Sequence, residues 1–118
     1  MSKNIYQFQD EYRWLSNFSK CPITINDITY PSIEHAYQSA KSPLNSWKSF
    51  CSTTPSPAII KKHSRNIKLI KNWEDVKVNI MRGCLIQKYS QEPYKSLLLK
   101  TGNAYIQEGN EALQRGLI

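Results

Sequence analysis

Tyr30-Pro31-Ser32-Ile33-Glu34-His35-Ala36-Tyr37-Gln38-Ser39-Ala40-Lys41 is the stretch on which the reading of this chain turns. Glu34, Gln38 and Lys41 stand at i, i+4 and i+7, the repeat of one helical face. Ile33, Ala36, Tyr37 and Ala40 supply a separate apolar stripe for the core. The acid, amide and amine are therefore either a solvated face, with Glu34 complementing the helix dipole, or the wall of a pocket. Spacing alone leaves both open.

Upstream, short β-like runs are read from 5 to 30. Ile5-Tyr6-Gln7-Phe8 is one; Pro22-Ile23-Thr24-Ile25 and Ile28-Thr29-Tyr30 flank Asn26-Asp27, a composition suited to a tight hairpin. The second hairpin strand leads straight into the helix, so Glu34 should lie near the sheet edge. Downstream the pattern is helical and punctuated. Ser42-Pro43 ends the first helix, residues 44–51 suit a short second one, and Thr53-Thr54-Pro55-Ser56-Pro57 breaks the chain before a segment from 58 to about 66. That segment and its exit carry Lys61, Lys62, His63, Arg65 and Lys68, either a solvated face or a phosphate contact.

Asn72-Trp73-Glu74-Asp75 opens a helix to about 89, with Asn72 as potential N-cap and two acids in the first turn. Its buried side is Val76, Ile80, Met81, Cys84 and Leu85. Lys77 borders this stripe, either snorkelling or reaching an anion. Residues 94–99 form a shorter helix stopped by Thr101-Gly102; residues 104–108 suit a strand or turn, and the tail through Leu113 has helical propensity. The expected fold class is α+β: a single compact helix-rich domain with a small antiparallel β element near the N-terminus.

The 118 residues suit one domain. A hydrophobic content of 40% and three tryptophans argue against disorder. A net charge of +7 implies an anionic partner such as nucleic acid, a nucleotide or a sugar phosphate. Cys21, Cys51 and Cys84 are odd in number, far apart and without a CxxC pair, so they read as reduced thiols. His35 and His63 are also far apart, and no metal or cofactor is expected. No apolar run approaches a membrane span and the N-terminus lacks a signal-peptide core, which points to a cytoplasmic, soluble protein without a membrane partner.

Several elements then occur in a telling order. Trp14-Leu15-Ser16-Asn17-Phe18 is followed by Cys21-Pro22-Ile23, the Tyr30 to Gln38 run with Lys41, Asn72-Trp73-Glu74 with Lys77 and Met81, and Leu99-Lys100-Thr101-Gly102. In combination they resemble the NADAR family, also called YbiA-like N-glycosidases, over most of residues 1–118. The resemblance implies a compact α+β domain that cleaves N-glycosidic bonds. Family substrates share a phosphorylated ribose joined to nitrogen: ADP-ribose on guanine bases, or ribosylamino-pyrimidine intermediates of riboflavin synthesis. Glu34 and Lys41 match the positions implied to be catalytic; Asn17, His35, Gln38, Trp73, Lys77 and Glu108 match positions implied to bind substrate. Asn72 stands where the family commonly has Asp. The D-x-x-W-G element and the Gly- and Asn-rich segment common in the family are not matched after Glu108, so the C-terminal part of the pattern is expected to be shortened.

Cleavage at an anomeric carbon needs stabilisation of positive charge on the sugar, a proton for the departing nitrogen, and a nucleophile. Glu34 can serve as general base or electrostatic stabiliser. Lys41 can attack an opened ribose as an amine, giving a Schiff base; direct hydrolysis assisted by Glu34 competes with that route. Trp14 or Trp73 can either stack on a ring or fill the core, and Asn17 can either bond a ribose hydroxyl or serve a turn. Two other classes remain open: a catalytically silent module for ADP-ribose or modified nucleic acid, and a basic nucleic-acid-binding or inhibitor protein acting through the segment from Lys61 to Lys68.

Overall fold

The computed structural model describes residues 4–107. Its β element is a hairpin of β1 (Ile23–Ile25) and β2 (Ile28–Tyr30), antiparallel with Ile23 opposite Tyr30 and Ile25 opposite Ile28. Asn26 and Asp27 both have positive φ, 49° and 68°. A two-residue turn of that kind matches the strands' right-handed twist, and Asn and Asp tolerate the left-handed region better than other side chains. Alternation then sorts the faces. Ile23 and Tyr30 are buried together, while Thr24 and Thr29 join hydroxyls at 2.9 Å on the exposed face.

Among the described residues five α-helices follow: α1 (Ile33–Ser39), α2 (Asn45–Thr53), α3 (Pro57–His63), α4 (Trp73–Tyr89) and α5 (Tyr94–Lys100). Several boundaries are set by local chemistry. Ser32 caps α1 by accepting from the His35 N–H, Ser56 caps α3 with Pro57 in its first turn, and Gly102 at φ 59° follows the end of α5. Asn72 occupies the N-cap position of α4, but its side chain makes no capping bond.

Two expectations change. The β-like reading of 5–8 reduces to one parallel bridge, Ile5 with Ile106, because only one residue on each side pairs. Residues Asp10–Leu15, inside the region read as β-like, instead form a 3-10 helix with Asp10 and Glu11 in its first turn. Glu108 and the tail through Leu113 lie outside the described residues. Among the described residues, no helix is long and apolar enough to cross a membrane.

The core gathers Cys21, Ile23, Tyr30, Ile33, Ala36, Trp47, Cys51, Ile60 and Cys84. At its centre lies α1, packed against the hairpin, α2, α3 and α4. Every residue from Ile33 to Ser39 is buried. A solvated polar face is thereby excluded: Glu34 is 4% and Gln38 1% exposed.

Burying so polar a helix requires partners for its unpaired carbonyls. The Trp47 indole N–H donates to the Gln38 carbonyl at 2.8 Å, and the Lys48 ammonium donates to the Ser39 carbonyl at 3.1 Å. The latter also places positive charge at the helix C-terminus, where the dipole favours it. All three cysteines are buried and free; burial pushes the Cys51 and Cys84 thiols up to about 12 and about 11. They are packing groups, not thiolate nucleophiles.

Candidate active site

The carboxylate of Glu34 is held from one side only. Gln38 Nε2 donates to Glu34 Oε1 at 2.8 Å, an i, i+4 bond along α1. Among the described residues the other carboxylate oxygen has neither a hydrogen bond nor an ion pair. Gln38 Oε1 is itself buried without a partner. Turning the amide over does not help, since it would set oxygen against the carboxylate and leave the NH₂ unpaired. The amide oxygen is enclosed, whereas the open side of the carboxylate marks a place for a donor from outside the protein, such as a sugar hydroxyl.

Lys41 stands just past the end of α1, in a turn fixed by its N–H to the Gln38 carbonyl at 3.2 Å and its carbonyl to the Ile70 N–H at 2.8 Å. Its ammonium lies 5.7 Å from the Tyr37 ring centroid and 5.9 Å from that of Trp73. The two rings meet at 5.2 Å and 59°, forming an aromatic floor. Burial lowers the Lys41 pKa; Glu34 opposes that shift, while Lys61 and Lys77 reinforce it. A desolvated lysine among other cations is suited to act as a neutral amine.

Tyr37 joins the site although the sequence reading placed it on the core side. Burial foremost, then the Glu34 charge, pushes its hydroxyl up to about 12, so it stays a donor at neutral pH. A pointer to it was available: Tyr37 is three residues after Glu34 and four before Lys41, on the helical face they share.

The loop at 16–19 brings Asn17 to the same place. Its carbonyl accepts the Glu34 N–H at 3.0 Å, and its side-chain NH₂ makes only a weak 3.9 Å contact with Met81 Sδ. Trp73 is buried under Lys41, while Trp14 lies edge-on to Tyr89 at 6.3 Å. Lys77 pairs with Glu74 at 2.7 Å along α4. Between Asp27 and Glu74 the only acid is the buried Glu34, against seven lysines and arginines: Lys41, Lys48, Lys61, Lys62, Arg65, Lys68 and Lys71. The surroundings of the carboxylate are thus strongly cationic.

His35 points elsewhere. Its Nε2 lies 2.8 Å from the Thr54 carbonyl, which can only accept, and Nδ1 lies 2.6 Å from the Ser32 hydroxyl. Both ring nitrogens are engaged inside the fold, tying α1 to the end of α2, and neither is left for a ligand. Replacing His35 by alanine is expected to cost about 1–3 kcal/mol of stability through the unpaired partners, with KM changed less than about twofold, as checked by urea melts beside steady-state kinetics.

Lys88 was not singled out in the sequence, yet it is fully buried. Its position four residues beyond Cys84 continues the buried stripe of α4. Its ammonium donates to the Ser16 carbonyl at 3.0 Å and the Ser19 hydroxyl at 2.7 Å, holding the loop that carries Asn17. Tyr94 assists by donating to the Lys20 carbonyl. Burial lowers the Lys88 pKa from 10.5 to about 8, against an opposing pull from Cys21. Between these values the unfolded chain binds more protons at this residue than the folded one, so its contribution makes stability rise with pH. Over about pH 8 to about 10 the buried Cys51 and Cys84 thiols pull the other way, so the rise should appear in the difference between urea melts of the wild type and of Lys88→Met.

The structure thus brings together Asn17, Glu34, Gln38, Lys41, Trp73 and Lys77, and turns His35 away; Glu108 lies outside the described residues. Comparison with known proteins converges on one family. Residues 5–112 match the NADAR domain. The chain is 34% identical to the N-glycosidase YbiA of Shigella boydii over 92% of its own length and 69% of that protein. It is 28% identical to an N-glycosidase of Nostoc punctiforme over 93% of its length and 74% of that protein. The NMR structure of Escherichia coli YbiA superposes with a TM-score of 0.77 at 33% identity, covering 92% of this chain and 68% of that one.

Proposed function

Because the chain belongs to the NADAR family, among its YbiA-like N-glycosidases, we propose that it hydrolyses the bond between a base nitrogen and the anomeric carbon of a phosphorylated ribose or ADP-ribose. The observation that carries this reading is the buried Glu34–Gln38 pair, with one carboxylate oxygen and one amide oxygen unpartnered among the described residues, beside Lys41. The unpartnered carboxylate oxygen suits a ribose hydroxyl, and the cations Lys61 and Lys77 suit the phosphate.

In the covalent route the Lys41 amine attacks the anomeric carbon, and the carbon–nitrogen bond breaks with its electron pair going to the base. The proton lost by Lys41 passes to Glu34 and from there to the departing nitrogen. The resulting ribosylamine opens to an iminium, and water then releases the free sugar phosphate and restores the amine. In the direct route Glu34 takes the proton of an attacking water and Lys41 acts only as a charge. Both routes use Glu34; only the first uses the lone pair of Lys41.

The test presents the protein with two substrates: an oligonucleotide carrying ADP-ribosylated guanine, and a ribosylamino-pyrimidine phosphate. Chromatography of the released base and sugar identifies the substrate class. Release from one predicts the carrier; release from neither, with tight binding retained, would establish a silent binding module instead.

A further inference from the structure

Along α4, Trp73, Lys77, Met81, Leu85 and Tyr89 follow at steps of four along one ridge that winds slowly about the helix, about 6 Å apart along the axis. Trp73 and Lys77 belong to the cationic end of the site already described. Met81, Leu85 and Tyr89 instead line a cavity of about 290 Å³, with Leu15, Asn17 and Leu98 among its other walls. We propose that this cavity receives the departing heteroaromatic base of the N-glycoside, an inference that rests on the N-glycosidase reading.

Three observations point to that ligand class. No lysine, arginine, aspartate or glutamate lines the cavity, so it suits an uncharged ring and not a phosphate. Its size is close to the roughly 300 Å³ lower end of small-molecule pockets, enough for one ring system but not for a dinucleotide. Besides the Tyr89 phenol, its polar side chain is Asn17, whose amide has no partner among the described residues beyond the weak contact to Met81. An amide offers both a donor and an acceptor, the pair that the edge of an aminopurine or aminopyrimidine presents.

Asn17 also fixes the cavity relative to the chemistry. Its carbonyl takes the Glu34 N–H at 3.0 Å, so the residue at the cavity wall is bonded to the residue bearing the carboxylate. The substrate then has one polarity: phosphate toward Lys61 and Lys77, ribose across Glu34, Gln38 and Lys41, base between Met81, Leu85 and Tyr89. The identity of the accepted base is set by the Asn17 amide and by the space beside Leu85.

The test uses the full chain with labelled methyl groups, titrated separately with 2-aminopurine and with ribose 5-phosphate. The expected result is that 2-aminopurine shifts the methyl resonances of Leu85 and Leu98, whereas ribose 5-phosphate leaves them in place. Leu85→Trp, which fills the cavity, should abolish the purine response, keep ribose 5-phosphate binding, and raise KM for the N-glycoside by about tenfold or more. The inference is overturned if 2-aminopurine leaves both methyls unmoved in the wild type, or if Leu85→Trp leaves KM unchanged. Contacts from Leu113 or Leu117 to Leu85 that persist with ligand would also overturn it, since the chain itself would fill the cavity. Methyl shifts without any N-glycoside turnover would refute the N-glycosidase reading and the leaving-group role while leaving the ligand class of the cavity intact.

Discussion

Glu34→Gln should lower kcat by roughly a thousandfold, within the range for loss of a positioned proton-handling or charge-stabilising group. The substitution is nearly isosteric, and its side-chain oxygen can still accept from Gln38 Nε2, the one hydrogen bond that Glu34's carboxylate makes among the described residues. The fold should therefore survive, with thermal midpoint and circular dichroism close to wild type. What disappears is the negative charge facing the anomeric carbon and the ability to carry a proton to the leaving nitrogen. Binding of ribose 5-phosphate should change little, because its phosphate is assigned to the lysines. A loss of binding equal to the loss of rate would assign Glu34 to ground-state recognition instead.

Lys41 carries the second large effect. Its amine is desolvated, and Lys61 and Lys77 disfavour its charged form. If it attacks carbon, Lys41→Met and Lys41→Arg should be equally inactive, each down by about a hundredfold or more. Arginine keeps the positive charge but cannot supply a lone pair, so it separates nucleophile from electrostatic partner. Borohydride added during turnover should trap a sugar adduct on Lys41 in the wild type and none in either variant. Since the Lys41 pKa is lowered, the fraction of free amine grows as pH rises toward that value. The rate of adduct formation should accordingly rise with pH and level off below the ordinary lysine value. An active Lys41→Arg without a trapped adduct would select direct hydrolysis by Glu34.

What could be read from residues alone was the chemistry that is local. The Asn26-Asp27 turn, the capping residues before α3 and the stop at Gly102 each depend on a few neighbouring residues, and each is present; Asn72, read as the cap of α4, makes no capping bond. The stretch bearing Glu34, Gln38 and Lys41 was also legible as a polar stripe, but the burial of its helix was not. That burial depends on Trp47, Lys48 and Asn17, which arrive from other elements to satisfy its backbone. His35 shows the same limit in reverse. A histidine inside a motif suggests a ligand contact, and only the approach of the Thr54 carbonyl reveals a tether.

Lys88 and Tyr37 were within reach of the periodicity, one on the stripe of Cys84 and the other on the shared face of Glu34 and Lys41. A lysine on an apolar stripe is usually read as snorkelling, and here it is enclosed because the 16–19 loop supplies acceptors. The N-terminal strand failed for the opposite reason. Its pairing with residues near 106 is long-range, and a β-like composition does not say how many residues will find a partner.

The measurement that bears most directly on the central claim is a single-turnover reaction of the wild type and Glu34→Gln with a ribose-phosphate N-glycoside, its products identified by mass spectrometry. The wild type should yield free base and free sugar phosphate in equal amounts, and the variant intact bound substrate. Equal release by both proteins, or saturated binding by the wild type with the glycosidic bond unbroken, would contradict that claim.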